Sequence, residues 1–231
     1  MKLLTDFYNY SITGNAASGY PLNNLKSLDT NEIWKGQTAS ETLVIDLGSA
    51  RVIGAILLNN ANFTSAVVTC ANNTGFTGGI TRTLTLKKDD LGIYRAFSTI
   101  TSSSYRYIRI VCSSLVSGSA PTLGNIIIGP VSEIIVSEWS SDIQDKVATF
   151  ESDGGAYREK KKGQSRHEFS ATINGTKAEL DALPLNFGNA VIFTDLDDAS
   201  DAYLIGTVKS RRKSTRNPVD CSLTLQFSEI I

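Results

Sequence analysis

The sequence predicts an all-β chain of two β-sandwich domains, the second carrying one short helix, and three observations lead there. Apolar and β-branched residues come in short runs, spaced at roughly 8–12 residues and closed by Gly, Asn and Ser turns, the pattern of a sandwich or barrel. Within several runs the side chains alternate with a period of two, as on a half-buried strand. Charge is also unevenly spread: before Ser140 charged residues are sparse among Ser, Thr, Asn and Gly, and after it they crowd together. That shift sets the expected domains at 1–138 and 139–231.

The first domain reads as seven runs. Residues 43–48 are β-rich and closed by Gly48, and 52–59 are apolar and followed by the polar Asn59-Asn60-Ala61-Asn62. Residues 66–70 end at the turn Ala71-Asn72-Asn73-Thr74-Gly75. In 81–86, Leu84 and Leu86 oppose Thr83, Thr85 and Lys87. Residues 94–100, 105–112 and 125–128 complete the set. Strict alternation in 105–110 puts Tyr105, Tyr107 and Arg109 on one face and Arg106, Ile108 and Ile110 on the other. No segment before Ser140 sustains a helical repeat over three turns.

The second domain opens with a strand at 147–151 and the turn Ser152-Asp153-Gly154-Gly155, then strands at 156–162 and 166–174. Phe169, Ala171 and Ile173 alternate with Glu168, Ser170 and Thr172, so this last strand is half-buried. Residues 176–183 match the capping box Ser/Thr-x-x-Glu through Thr176 and Glu179, with Leu180 and Leu183 facing the sheet and Pro184 stopping the helix. Strands follow at 190–194, 202–210 and 221–227, the last with Cys221, Leu223, Leu225 and Phe227 on one face.

Composition bounds function. Over 231 residues, 41% hydrophobic and 19% charged content supports a packed core over disorder. A net charge of −1 gives no general attraction to nucleic acid or membrane. Met1-Lys2-Leu3-Leu4 opens like a leader, but Asp6 and polar residues 8–11 interrupt it, so no targeting segment is expected. Apolar runs such as 53–58 are too short to span a bilayer. Cys70, Cys112 and Cys221 lie in apolar runs at unpatterned spacing and read as buried reduced thiols, from which cytosolic synthesis follows. The Asn-x-Ser/Thr matches at Asn62, Asn72 and Asn174 read as coincidence in so Ser/Thr-rich a chain.

Taken in order, Asn-Leu, Ile33-Trp34, Leu43 to Gly48, Ile53 to Asn60 and Tyr105 to Ile110 carry a resemblance. The segment from about 20 to 135 resembles the discoidin or coagulation-factor C-type family of galactose-binding-like jelly rolls, whose aspartate-leucine-glycine strand end corresponds to Asp46-Leu47-Gly48. The family's frequent pair of terminal cysteines is missing here. The closing stretch 121–130 is similar to versions found in bacteriophage tail proteins. The second half resembles the hub domain of phage distal-tail proteins, through Arg166 to Ile173, Val191 to Asp195, Tyr203 to Val208 and Leu223 to Glu229. Together these imply a virion structural protein at a tail tip or baseplate, made in the host cytoplasm. Its second domain would form a homo-oligomeric ring, and its jelly roll would contact other tail proteins or cell-surface carbohydrate. A carbohydrate-binding module attached to a larger assembly is the alternative.

For a glycan, the resemblance points to loop or loop-edge residues Trp34, Asn59, Asn60, Asn62, Phe63 and Tyr94, since aromatic faces stack on sugar rings and amides pair with hydroxyls. The competing reading makes Trp34 a core anchor and the asparagines turn builders. Two basic clusters, Arg158, Lys160, Lys161 and Lys162 with Arg166, and Lys209, Arg211, Arg212 and Lys213 with Arg216, would form one patch if adjacent strands carried them. Edge protection or subunit contact explains them, and nucleic acid is not expected without interleaved aromatics. The acidic loop 195–201 lacks EF-hand spacing, so no metal is expected. His167, the sole histidine, alternates between Arg166 and Glu168, and no Gly-x-Ser-x-Gly turn, phosphate loop or zinc spacing is present. No enzymatic activity and no cofactor are expected.

Overall fold

The computed structural model describes residues 2–4, 6–29, 31–89, 91–100, 103–133, 136–144, 147–151, 157–161, 166–182, 190–193, 202–217 and 220–229. Two compact units emerge: Met1–Ile134 with Ala190–Leu204, and Ile135–Asn189 with Ile205–Ile231. The segment Ala190–Leu204 thus groups with the first unit, away from its neighbours in sequence.

The strands of the first unit are β1 (Lys2–Leu4), β2 (Ser11–Thr13), β3 (Trp34–Lys35), β4 (Glu41–Val52), β5 (Ala55–Ala61), β6 (Phe63–Ala71) and β7 (Ile80–Thr85). They continue with β8 (Lys87–Lys88), β9 (Tyr94–Thr99), β10 (Ser104–Leu115), β11 (Thr122–Leu123), β12 (Asn125–Gly129) and β13 (Ser132–Glu133). The chain goes on through β14 (Val136–Gln144), β15 (Val147–Glu151), β16 (Tyr157–Lys161), β17 (Arg166–Gly175), helix α1 (Lys177–Ala182), β18 (Ala190–Phe193), β19 (Ala202–Asn217) and β20 (Asp220–Glu229). The all-β class and the single short α-helix among the described residues match the sequence reading.

In the first unit an antiparallel five-stranded sheet, β2-β4-β10-β6-β7, and a four-stranded sheet, β12-β5-β9-β8, form a jelly-roll sandwich. The period-two pattern decides what fills it. Leu43, Ile45 and Leu47 of β4, Ile108, Ile110 and Cys112 of β10, and Ala66, Val68 and Cys70 of β6 share one core with Ile56, Leu58, Ile126 and Ile128. Each fully buried aliphatic side chain contributes about 1.5–3 kcal/mol. The intervening Thr42, Val44 and Asp46 line the other face of β4.

One alternation in the sequence reading breaks. The ladder between β10 and β4 slips between Tyr105, opposite Arg51, and Tyr107, opposite Asp46. The bulge lies on β4, where residues 47–50 stand opposite Arg106 alone, and Tyr105 packs on the core instead of lining up with Tyr107 and Arg109. Arg106, at the bulge, swings over Asp46 as a bidentate pair at 2.8 and 2.9 Å. The Asp-Leu-Gly strand end and the Tyr-Arg-Tyr strand therefore meet across the sheet. The Asp46 carboxyl is held at about 2, chiefly by the hydrogen bonds from Arg106 and next by that from the Gly48 N–H.

In the second unit β17 pairs with β14 and β20, and β20 with β19. Phe169, Ala171 and Ile173 are buried beside Phe227, Leu225 and Leu223, and the Phe169 and Phe227 rings lie 5.7 Å apart. Helix α1 lies against β17 and β20 with Leu180 buried. β19 runs on to Asn217, past the expected stop at 210, so Arg211, Arg212 and Lys213 are strand residues. They pair with Leu225, Thr224 and Leu223 of β20, whereas Arg158, Lys160 and Lys161 on β16 pair with Phe150, Ala148 and Val147 of β15. The two basic clusters thus sit in separate sheets, not on the adjacent strands that the single-patch reading required. Lys162 and the acidic loop 195–201 lie outside the described residues.

Candidate functional site

Three loops at one end of the jelly roll are tied to each other by backbone and side-chain hydrogen bonds. The loop at 14–20 is joined to β3 by the Ala17 N–H, which donates to the Lys35 carbonyl at 2.8 Å. The turn after β3 is joined to the loop at 116–122 by the Gly36 N–H, which donates to the Pro121 carbonyl at 2.9 Å. Gln37 donates from Nε2 to the Ala16 carbonyl at 2.9 Å. Under this frame stands Trp34, fully buried, its indole N–H donating to the Asn15 carbonyl at 2.8 Å.

A buried carboxylate anchors the frame. Glu41 opens β4 on its core-facing side and is 3% exposed. Its Oε1 accepts from the backbone N–H groups of Gln37 and Thr38, both at 2.8 Å, and its Oε2 accepts from Asn15 Nδ2 at 3.1 Å. Burial pushes the Glu41 carboxyl up, but the bonds from Gln37, Thr38 and Asn15 together hold it below the usual range.

The residues proposed for glycan contact turn out mostly to build this scaffold. Trp34 and Phe63 are core residues with no exposed surface, and Asn59 is buried with its Nδ2 donating to Asn125 Oδ1 at 3.1 Å. None of these three presents a face to a ligand, because their strands turn them inward. Asn62 holds the loop at 116–122: its Nδ2 donates to the carbonyls of Ser117 and Ala120, and its Oδ1 accepts from the Thr122 N–H. Asn60 occupies the left-handed region at φ 58°, which closes β5. Tyr94 is half-buried against the core.

What the loop end offers outward is a different set. Tyr20, Val52 and Val116 are the exposed large hydrophobic residues among those described, and Tyr20 and Val116 both belong to these loops. The Lys35 ammonium stands 5.8 Å from the centre of the Tyr20 ring, and Gln37, Thr38, Ser117 and Ser119 are exposed on the linked loops. Tyr20, which the sequence reading did not single out, follows Gly19 at φ 83° in a polar loop, and that setting is the signal that could have found it. Lys35 had no such signal, since only the fold brings it to Tyr20.

A cleft of about 240 Å³ lies elsewhere on the first unit, lined by Tyr8, Tyr10, Lys26, Leu28 and Ile127 among others. The Tyr8 hydroxyl donates to the Val52 carbonyl, and the Tyr10 hydroxyl lies within hydrogen-bond reach of the Leu25 and Ile126 carbonyls. The cleft therefore presents apolar ring faces and one ammonium, with little polar chemistry to orient a ligand. Among the described residues no group of three His, Cys, Asp or Glu is placed to hold a metal ion. His167 sits on β17 opposite Ile143. No helix among the described residues is long and apolar enough to cross a membrane.

No protein-family model matches the sequence, and no curated protein matches it. Solved structures do resemble it. The CBM32 of AlyQ, in complex with 4,5-unsaturated mannuronic acid, is 15% identical, with a TM-score of 0.43 over 54% of this chain and 96% of that one. CBM32-1 from a family 31 glycoside hydrolase of Clostridium perfringens is 12% identical, with a TM-score of 0.43 over 55% of this chain and 96% of that one. SpGH29 is 16% identical, with a TM-score of 0.41 over 54% of this chain, and the match spans 27% of that protein's length.

Proposed function

We propose that this chain is a non-catalytic recognition protein whose jelly-roll unit binds carbohydrate through the loop end that displays Tyr20, while its second unit attaches it to a larger assembly. The observation that carries the reading is the exposed Tyr20 ring on a loop frame braced from below by Trp34 and Glu41, with the Lys35 ammonium beside it. An apolar ring face supplies stacking surface for the C–H side of a sugar, and the neighbouring amide, hydroxyls and ammonium supply donors and acceptors for its hydroxyls. Rigidity matters because a loop that must order on binding loses part of the contact energy to entropy. A tail-tip ring remains the assembly that the sequence resemblance implies for the second unit.

A panel of immobilised neutral oligosaccharides, followed by titration of the best binder, tests this reading. Binding should fall about tenfold or more in Tyr20→Ala with the melting temperature unchanged, the loss expected for one stacking aromatic. If no saccharide binds, or if Tyr20→Ala binds as well as the parent, the recognition reading fails. A ring-sized oligomer without saccharide affinity would then leave assembly as the function.

A further inference from the structure

The outer face of the five-stranded sheet carries an uncompensated cation held against a strained aromatic residue. Arg109 leaves β10 on the side opposite the core residues Ile108 and Ile110. Its cross-strand partners are Val44 on β4 and Thr69 on β6, and the row continues to Thr13 on β2 and Thr81 on β7, so no carboxylate lies in it. Asp46 is one step along the ladder, opposite Tyr107, and both of its oxygens are already taken by Arg106. Among the described residues Arg109 makes no ion pair, and its guanidinium stands 4.7 Å from the centre of the Phe76 ring.

Phe76 is placed there at some expense. It sits at φ 56°, in the left-handed region, where a bulky residue is an outlier. The loop's own bonds hold it. Asn73 Nδ2 donates to the Thr77 carbonyl at 2.9 Å, Asn73 Oδ1 accepts from the Thr77 N–H at 3.1 Å, and the Phe76 N–H donates to the Asn73 carbonyl at 3.2 Å. Asn72 ties the loop to β10 by accepting from the Arg106 N–H at 3.0 Å. A guanidinium stacked on a ring has one face covered and its in-plane N–H fork turned outward, the geometry that takes a planar oxyanion with two bonds. The surroundings are hydroxyl-bearing: Ser11, Thr13, Thr42, Thr81 and Thr83 are exposed on the same sheet.

We propose that this face binds the carboxylate of an acidic saccharide, with Arg109 gripping the anion and Phe76 fixing the guanidinium plane. The choice of a sugar as the anion's carrier rests on the carbohydrate reading of the jelly roll, although the two surfaces are different.

Titration of the full chain with methyl glucuronide, with its neutral counterpart methyl glucoside, and with sodium sulfate, followed by amide shifts of residues 72–79 and 107–111, tests it. Methyl glucuronide should bind about tenfold or more tighter than the glucoside, as charge-assisted bonds to a guanidinium imply. That preference should vanish in Arg109→Gln, persist in part in Arg109→Lys, shrink in Phe76→Leu and weaken with added salt. Sulfate should compete, but less well than the glucuronide. Equal binding of glucuronide and glucoside, a preference that survives Arg109→Gln, or sulfate binding as tightly as the glucuronide each overturns the proposal. Arg109 is half-exposed, so its variants should melt with the parent. Should Arg109→Gln unfold, Arg109→Lys and Phe76→Leu pose the same question. Amide shifts at residues 72–79 and 107–111 report this face and shifts at residues 14–20 and 116–122 report the loop end, so failure at the loop end and failure here are told apart.

Discussion

Replacing Glu41 by alanine should loosen the loop frame under Tyr20 far more than one surface-proximal residue would suggest. The substitution leaves the backbone N–H groups of Gln37 and Thr38 and the Asn15 amide without their acceptor. A hydrogen bond to a charged group contributes about 1.5–3 kcal/mol, and an orphaned buried donor costs about 1–3 kcal/mol. Residues 37–40 are exposed, so water re-solvates part of what is lost. The net destabilisation should therefore be about 2–4 kcal/mol, below the simple sum, and about 1 kcal/mol for Glu41→Gln, which keeps one acceptor oxygen. The folded carboxyl lies below its unfolded value, so the unfolded chain binds the proton more readily. The Glu41 contribution is thus complete above the unfolded carboxyl value of about 4.3 and fades as pH falls through the folded value, and Glu41→Gln should remove that acid-side loss. Because two units need not unfold together, the decisive measurement is local: hydrogen exchange at the Gln37 and Thr38 amides, which should accelerate in Glu41→Ala. Protection at those amides equal to the parent's would refute the claim that the carboxylate holds them.

Two further outcomes follow from buried groups in the same unit. Arg95 and Asp89 form a pair at 2.5 Å with side chains 1% and 2% exposed, so Asp89→Ala should lower stability by about 3–5 kcal/mol in thermal melting by stranding a buried charge. Asp89→Leu with Arg95→Met should recover the part owed to the stranded charge but not the bonds that Asp89 accepts from the Leu91 and Ile93 N–H groups, and a double variant melting no higher than the single one would count against the charge explanation. The Cys70 thiol is pushed up to about 12 by burial, and the Cys112 thiol to about 12 by burial and next by the Glu41 charge. Neither should react with a thiol reagent at pH 8 until the protein unfolds, and prompt labelling of the native chain would contradict this.

Legibility differed by kind of interaction. Alternation in 169–173 and 221–227 identified which residues face a core, because period-two burial is written directly in consecutive side chains. The same logic failed at Arg106, opposite which β4 bulges over residues 47–50, an irregularity that no alternation announces. For the glycan candidates the sequence reading offered both ligand contact and scaffold, and the structure bears out the scaffold reading for Trp34 and Asn62. Asparagine is suited both to turns and to ligands, and only the partners of Asn59 and Asn62 show that their amides are spent on Asn125 and on the loop at 116–122.

What the sequence by itself determined is local: the strand runs, the jelly-roll core and the capped helix against β17 and β20, all set by side-chain periodicity and turn chemistry within a few residues. The tertiary structure alone decided which charges are neutralised and which aromatic rings reach the surface. Asp46 finds Arg106 sixty positions away and leaves Arg109 to Phe76, and Tyr20 meets Lys35 across a loop, because electrostatic and stacking contacts depend on distance in space and not on spacing along the chain.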